Sequence, residues 1–472
     1  MGALQVGKRV SAQVLPLLAL GLGCATSEPK PAAPRAIIAI EDRGHSNVEE
    51  APKVARGRTL LTGATLLTAT GERWAPGWLL IEDGRIAALG DGEPPAAITG
   101  GKSQVPVHMI DLRGRWLTPG LIDPHSHLGV YPSPSLRATD DGNEATSPNT
   151  AGVWAEHSFW AEDPGIERAV RGGVTTIQVL PGSANLFGGR GVVLHLRPMR
   201  GARAMRFPGA PDTLKMACGE NPKRVYGGRG GAPSTRMGNV RGQREGFANA
   251  AKWLKDNRDK PAGEVARDLA METLAGVLEG RILLQVHCYT AQDMLDFMQI
   301  SDEFGFKVRA FHHALEAYKI RDILVKRDIG VATWADWWGF KLEAWDGIEE
   351  QAALISQSGG RVSIHSDSAE DIQRLNQQAA VAMYAGKAKG VHVDENDALR
   401  WITADPAWML GIDAEVGTLE VGKRADIVAW SADPLSVYTK ADKVWIDGAL
   451  VVGGDDKTSP WSDFELGTEV GP

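Results

Sequence analysis

Apolar, β-branched runs alternate with helix-like stretches through the middle of this 472-residue chain. Such alternation is typical of βα units that build a parallel sheet. Eight runs stand out, and eight is the number of strands that closes a (β/α)₈ barrel. They are Leu117–Leu128, Gly173–Leu180, Val192–Arg197, Thr213–Cys218, Ile282–Cys288, Lys307–His313, Gly330–Trp334 and Arg361–Asp367. The sequence therefore predicts an α/β fold with a TIM-like barrel over residues 117–411.

Metal-binding and acidic side chains stand at or near the ends of five of these runs. His125 and His127 close the first run two residues apart, so both imidazoles point to the same face of a strand. Imidazole suits zinc and several other divalent metals, and barrel enzymes place their catalytic residues at the C-terminal strand ends. A lone His-x-His pair is weak evidence, so the coincidence across five strands carries the argument for a metal site. The other residues at strand ends are Lys215, His287, His312, His313 and Asp367.

Both flanks of the barrel region show short alternating strands with tight turns. Asp83-Gly84 lies between two apolar runs, which is a strong hairpin pattern. The same pattern of short strands and tight turns returns near the C-terminus. We therefore predict a small β-sandwich domain assembled from residues 58–116 and 412–455, with a C-terminal tail at 456–472.

The N-terminus has the pattern of an export signal. Lys8 and Arg9 precede a short apolar segment that ends at Gly23-Cys24. We predict a signal peptide at residues 1–24 and a linker at 25–57. Cys24 is either the acylated residue of a lipoprotein or part of a plain signal peptide or of an ill-defined N-terminal extension. The expected location is outside the cytoplasm, periplasmic or anchored to a bacterial membrane by lipid alone.

Charge and cysteine content exclude some function classes. The net charge of −8 gives no broad basic field, so we expect no nucleic-acid partner. Three cysteines cannot form a disulfide framework. Cys218 and Cys288 lie far apart in the sequence, and we expect each to pack as a small buried side chain, although an exported protein could oxidise them.

Three motifs resemble the amidohydrolase superfamily of metal-dependent hydrolases, in its imidazolonepropionase-like and prolidase-like branch. They are Pro119–His127 (PGLIDPHSH), Gly172–Thr176 (GGVTT) and Gly417–Val428 (GTLEVGKRADIV). The resemblance covers about Arg58 to Gly454. It implies hydrolysis of an amide-type carbon–nitrogen bond in a dipeptide, an N-acyl amino acid or a cyclic amide.

The resemblance also implies roles for individual residues. His125, His127 and His287 correspond to metal ligands, and Lys215 to a lysine that becomes carboxylated and bridges two zinc ions, other divalent metals being alternatives. Adjacent strand residues face opposite sides, so we expect only one of His312 and His313 to enter the barrel mouth. We favour His313 as the ligand, because family ligands at this position are usually followed by a small residue, here Ala314, and we expect the other histidine to be packed or to support a ligand. Asp367 corresponds to the proton carrier and a further ligand. His365 either orders substrate or is a hydrogen-bonded barrel histidine.

Other interpretations of the same residues stay open. Lys215 could bind substrate or pair with an acid such as Glu220. In that case a mononuclear enzyme of the imidazolonepropionase or deaminase type is the alternative. A catalytically silent scaffold is a further alternative, although the chain keeps a candidate ligand at every position.

Arginines crowd a glycine-rich excursion and the loop before it. Arginine forks bind carboxylates in bidentate fashion, so these residues predict a small, carboxylate-bearing substrate. A solvated, charge-balanced loop is the other interpretation, and the chain leaves a homo-oligomer open. The candidate substrate-binding residues are Arg190, Arg224, Tyr226, Arg229, Arg236 and His365.

Overall fold

A computed structural model describes residues 54, 56–99 and 106–453. The predicted signal peptide, Cys24, most of the predicted linker and the predicted tail lie outside these residues. Within the described ranges, no helix combines the length and apolarity needed to cross a membrane.

Strands dominate both ends of the described chain, and strands alternate with helices between them. In chain order the strands are β1 (Arg58–Leu67), β2 (Arg73–Glu82), β3 (Arg85–Asp91), β4 (Val107–Asp111), β5 (Trp116–Pro119), β6 (Leu121–Ser126), β7 (Val174–Val179), β8 (Phe187–His195), β9 (Thr213–Ala217), β10 (Leu283–Cys288), β11 (Val308–His313), β12 (Gly330–Thr333), β13 (Val362–Ile364), β14 (Ile427–Trp430), β15 (Ala441–Ile446) and β16 (Ala449–Val452). The α-helices are α1 (Ala96–Thr99), α2 (Pro164–Arg171), α3 (Ala202–Met205), α4 (Glu220–Gly227), α5 (Arg236–Asn257), α6 (Leu269–Leu278), α7 (Ala291–Phe304), α8 (Arg321–Lys326), α9 (Gln351–Gln357), α10 (Leu375–Ala388), α11 (Glu395–Arg400) and α12 (Ala404–Leu410).

Strands β6 to β13 form an eight-stranded barrel in sequence order, which confirms the predicted fold class. The first and last strands approach where the backbone amide of Asp367, just past β13, donates to the carbonyl of His125 at 3.2 Å. Every cross-strand pairing in the barrel is parallel except the two made by β8. The carboxyl ends of the seven parallel strands therefore meet at one mouth.

The third barrel strand corrects the prediction. Strand β8 runs antiparallel to both neighbours and covers Phe187–His195, not Val192–Arg197. Only residues 180–186 connect it to β7, and a parallel crossover needs about a dozen residues or more. The connection is therefore a hairpin, and His195 lies at the base of the barrel.

The first predicted barrel strand, Leu117–Leu128, is also divided into two strands, β5 and β6. Strand β5 pairs with β1 and β14 outside the barrel, whereas β6 begins the barrel. Gly120 separates them, and a Cβ at this position would overlap the side chain of Thr175. A glycine is required at this position because the two sheets meet there.

Both ends of the described chain build the second sheet. Its order is β16-β15-β14-β5-β1-β2-β3, with β4 beside β1. Leu61 and Leu79 pack there with Ile427 and Trp445 in a core separate from that of the barrel. The C-terminal strands thus complete a domain that the N-terminal strands begin.

The two cysteines correct a further expectation. Cys218 and Cys288 follow or end the adjacent strands β9 and β10, and they form a disulfide with a Cα–Cα distance of 5.1 Å. Strand pairing brings together residues 70 positions apart. The bond ties the strand that carries Lys215 to the strand that carries His287.

A buried ion network joins the barrel base to the second sheet. His195 Nε2 lies 2.7 Å from Asp426 Oδ2, and His195 Nδ1 lies 3.4 Å from Asp447 Oδ2. Arg424 also pairs with Asp447, at 2.7 Å. Burial alone lowers the pKa of His195, but attraction to Asp426 and hydrogen bonds to both carboxylates outweigh it and raise the pKa to about 9.

We predict that His195 makes the stability of the protein depend on pH. Its pKa in the fold is above the unfolded value of about 6.5, so its contribution is complete below about pH 6.5 and lost as the pH rises through about 9. The free-energy gap between wild type and His195→Gln should shrink by about 3 kcal/mol over this window.

Urea unfolding midpoints of both proteins across this pH range measure the gap. His157→Gln is the control, because the His157 side chain is 61% exposed. A gap that stays constant with pH would show that His195 is neutral in the folded protein.

Candidate functional site

Six side chains predicted from the strand ends converge at the barrel mouth, and His365 joins them. His127 Nε2 lies 3.1 Å from Asp367 Oδ1, and His125 Nε2 lies 3.7 Å from the same oxygen. His313 Nδ1 lies 3.9 Å from Asp367 Oδ2. We call this group the histidine cluster: His125, His127, Lys215, His287, His313, His365 and Asp367.

Two backbone conformations shape the cluster. His313 has φ 67° and Asp367 has φ 51°, in the left-handed region that non-glycine residues seldom adopt. The turn at His313 breaks the alternation of β11, so that His312 and His313 both approach His125, with ring centroids 4.8 and 4.6 Å away. The expectation that only one of the pair faces inward is therefore wrong.

His312 belongs to a hydrogen-bond relay that begins at a backbone carbonyl and ends at His125. Gln285 Nε2 donates to the Met409 carbonyl at 3.1 Å, so Gln285 Oε1 is free to accept from His312 Nε2 at 2.7 Å. His312 Nδ1 lies 2.9 Å from His125 Nδ1. Because burial holds the pKa of both histidines well below the usual value, each carries one proton.

The relay fixes the tautomer of His125. A carbonyl only accepts, so His312 holds its proton on Nε2 and accepts from His125 Nδ1. The bare nitrogen of His125 is then Nε2, which faces Asp367. His127 Nδ1 donates to the Leu180 carbonyl at 2.8 Å, and its Nε2 lies 3.1 Å from Asp367 Oδ1. Both histidines present Nε2 to one point.

Several nitrogens of the cluster are buried without a hydrogen-bond partner. Among the described residues these are His287 Nδ1, His313 Nδ1 and both ring nitrogens of His365. Burial lowers the pKa of His287 and His313, and lowers that of His365 to about 3. Neutral imidazoles with free lone pairs are metal ligands, so this donor set fits a divalent cation.

Lys215 is fully buried and unpaired with any acid among the described residues. Its ammonium lies 3.1 Å from the Pro181 carbonyl and 3.2 Å from His125 Nε2. Burial lowers the pKa of Lys215 to about 8. Glu220, the acid considered as its partner, instead lies 3.2 Å from Lys341 Nζ.

Asp123 is a site residue that the sequence interpretation missed. It accepts from Ser366 Oγ at 2.5 Å and from the His125 amide at 3.1 Å, so it ties the ends of β6 and β13 together. Burial raises the pKa of Asp123 to about 7. Its position two residues before His125, on the same strand face, could have identified it.

The predicted substrate-binding arginines do not join the cluster. Arg190 pairs with Leu214 across the strands while Gly189 pairs with Lys215, so Arg190 faces away from the barrel interior. It is buried against Asp212 at 2.9 Å and Thr273 at 2.8 Å. A buried guanidinium needs a carboxylate, and Asp212 supplies it.

The other predicted substrate-binding residues contact loop backbone or acidic side chains, or lie in a helix. Tyr226 donates to the Ser147 carbonyl at 2.7 Å, and Arg229 to the Ala145 carbonyl at 2.8 Å. Arg236 pairs with Asp293 at 3.3 Å and with Glu343. Arg224 lies in the last turn of α4. These contacts support the interpretation of a charge-balanced loop.

We predict that His312→Phe weakens metal binding by roughly 10- to 100-fold, because the partner that orients a histidine ligand is lost. Competition between purified protein and a colorimetric zinc chelator measures the affinity. His392→Phe, a change on an exposed histidine, is the matched control. Unchanged zinc affinity in His312→Phe would mean that the relay does not orient His125.

The chain is similar to known amidohydrolases in sequence and structure. The family model described as Amidohydrolase family matches residues 343–453. The crystal structure of an amidohydrolase from Thermotoga maritima MSB8 is 34% identical, with a TM-score of 0.76, and the match covers 83% of this chain and 99% of that one.

Two curated relatives extend the comparison. Amidohydrolase tasK of Hapsidospora irregularis is 36% identical over 408 residues, which cover 80% of this chain but only 40% of that protein. Imidazolonepropionase of Rhizobium meliloti (strain 1021) is 24% identical over 81% of this chain and 93% of its own length. The barrel with its second sheet, the residues at the strand ends and the match to the Thermotoga structure together show that the chain belongs to the amidohydrolase family of hydrolases.

Proposed function

We propose that this protein is a zinc-dependent hydrolase of amide-type carbon–nitrogen bonds in a dipeptide, an N-acyl amino acid or a cyclic amide. The observation that carries the proposal is the histidine cluster, where buried imidazole nitrogens of His287, His313 and His365 have no hydrogen-bond partner among the described residues and where His127 and His313 face Asp367. Burying such groups without a ligand would cost free energy.

The chain's own residues provide the positions that hydrolysis needs. His125, His127, His287, His313 and Asp367 would hold the metal. Bound zinc supplies an electrophile for the scissile carbonyl and makes water more acidic. Asp367 lies against His127 and is 23% exposed, so it can reach both the cluster and the solvent side of the mouth. It accepts the proton of the attacking water and delivers it to the leaving nitrogen.

Lys215 decides between one and two metals. A neutral amine adds to carbon dioxide and releases a proton, which gives a carbamate with anionic oxygen ligands. The burial of Lys215 and its lowered pKa favour the neutral amine this requires. We therefore favour a binuclear centre bridged by carboxylated Lys215 over the mononuclear alternative.

The charge of the substrate is part of the proposal. Lys341 lies near the cluster, because its ammonium is 3.8 Å from the centroid of the Tyr289 ring, which stacks on His313. The Lys341 side chain is 17% exposed, and its ammonium lies 3.2 Å from Glu220 Oε1 and 3.9 Å from Glu343 Oε2. We propose that Lys341, rather than the four arginines, receives the carboxylate of the substrate.

We also propose that the enzyme works outside the cytoplasm. The export pattern at residues 1–24 supports this, as does the Cys218–Cys288 disulfide, because oxidising compartments preserve disulfides. Cell fractionation with an antibody against the protein tests it, and recovery from the cytoplasm alone would contradict it.

We predict that Asp367→Asn retains most of its metal, because four histidine ligands remain, while kcat/KM falls by roughly 10²- to 10⁴-fold, because the proton carrier is lost. The assay screens zinc-loaded protein against dipeptides, N-acyl amino acids and cyclic amides, with each acid matched to its amide. Asp371→Asn, at the 3-10 turn four residues on, is the control. Full activity of Asp367→Asn removes Asp367 from proton transfer, and equal rates on acids and amides contradict the anionic substrate.

We predict that wild type purified with zinc and bicarbonate binds two metal ions per chain and that Lys215→Ala binds one or none. The bridging ligand is lost in that variant. Elemental analysis counts the ions, and Lys252→Ala, whose side chain is 75% exposed, is the control. Wild type that holds a single ion at saturation supports the mononuclear alternative.

A further inference from the structure

Two aromatic rings lie directly against a member of the histidine cluster. The Trp334 ring stacks on His313 with centroids 4.4 Å apart and an interplanar angle of 26°, and it lies 5.0 Å from His365. The Tyr289 ring stacks on His313 at 5.2 Å and 15°. The wall of the cluster is therefore apolar on this side.

Two further rings continue this surface outward. Trp337 lies 5.3 Å from Trp334, and Phe340 lies 5.9 Å from Trp334 and 6.3 Å from Tyr289. Trp337 is 37% exposed and Phe340 is 56% exposed. The aromatic ladder, defined as Tyr289, Trp334, Trp337 and Phe340, thus runs without interruption from His313 to solvent. Ligand sites are lined mainly by apolar and aromatic side chains, as this surface is.

Polar contacts hold the inner rings in place. The Trp334 indole donates to the Ser366 carbonyl at 3.2 Å, next to Asp367. The Lys341 ammonium lies 3.8 Å over the Tyr289 ring and is itself held by Glu220 at 3.2 Å. A surface fixed before ligand arrives loses little entropy on binding.

The ladder also borders the mouth of the barrel. It comes from the segments that follow β10 and β12, whose carboxyl ends face the mouth. Its inner end touches the cluster and its outer end meets solvent. A group attached to the scissile carbonyl would therefore lie along these rings.

We propose that the aromatic ladder is a specificity subsite for an apolar, preferably aromatic, group of the substrate next to the scissile bond. This inference rests on the proposed function, because it takes the histidine cluster as the metal centre. Aromatic groups stack in offset or edge-to-face geometry on such rings, so the enzyme selects substrates with bulky apolar side chains or acyl groups.

Binding of two hydroxamates to the zinc-loaded protein tests the subsite without relying on turnover. Acetohydroxamate and phenylacetohydroxamate share the metal-binding group and differ by a phenyl ring. Isothermal titration should show about tenfold tighter binding, or more, for the phenyl compound. Trp337→Ala and Phe340→Ala should each reduce this ratio several-fold and leave the affinity for acetohydroxamate unchanged.

Trp345→Ala is the matched control. Trp345 lies in the same segment and is 68% exposed, but it takes part in none of the ring contacts that define the ladder. Equal affinity for both hydroxamates overturns the subsite and leaves the metal centre standing, whereas failure of both to bind zinc-loaded protein overturns the proposed function as well. Should the variants change only the sedimentation behaviour, the ladder is an interface between copies of the chain and the proposal is wrong.

Discussion

The relay from Met409 through Gln285 and His312 is the constraint on which the site depends. It begins at a carbonyl, which can only accept, so each later group has one allowed orientation. The bare nitrogen of His125 therefore faces Asp367 before any ligand binds. An imidazole with the other tautomer would present an N–H and repel a cation. Every group in such a buried chain needs its hydrogen bond, because an unpaired polar group costs free energy in the protein interior.

The sequence was sufficient for the features that depend on local pattern. Hydrophobic periodicity located most barrel strands, and strand ends located His125, Lys215, His287 and Asp367 because parallel strands share one mouth. The antiparallel direction of β8 could also, in principle, have been predicted from the sequence. Residues 180–186 are too few for a parallel crossover, but the apolar pattern of a strand carries no direction.

Features that depend on tertiary partners were not accessible. Arg190 has the composition and neighbours of a ligand-binding arginine, and only the fold brings Asp212 beside it. Strict alternation along a strand predicts that only one of His312 and His313 faces inward. The left-handed backbone of His313 allows both side chains to face inward. The disulfide follows from the adjacency of β9 and β10, which the predicted strand order already contained. The separation of the two cysteines in the sequence does not by itself show this adjacency.

The network at the barrel base has an evolutionary consequence. His195 belongs to a strand inside the barrel, whereas Asp426, Asp447 and Arg424 belong to the C-terminal part of the chain. Grafting this barrel onto the second sheet of a distant relative would leave charges buried without their counterparts, at a cost of several kcal/mol. Recombination that separates the two sheets is therefore unfavourable. We expect the two sheets to be inherited together while the loops at the mouth diverge.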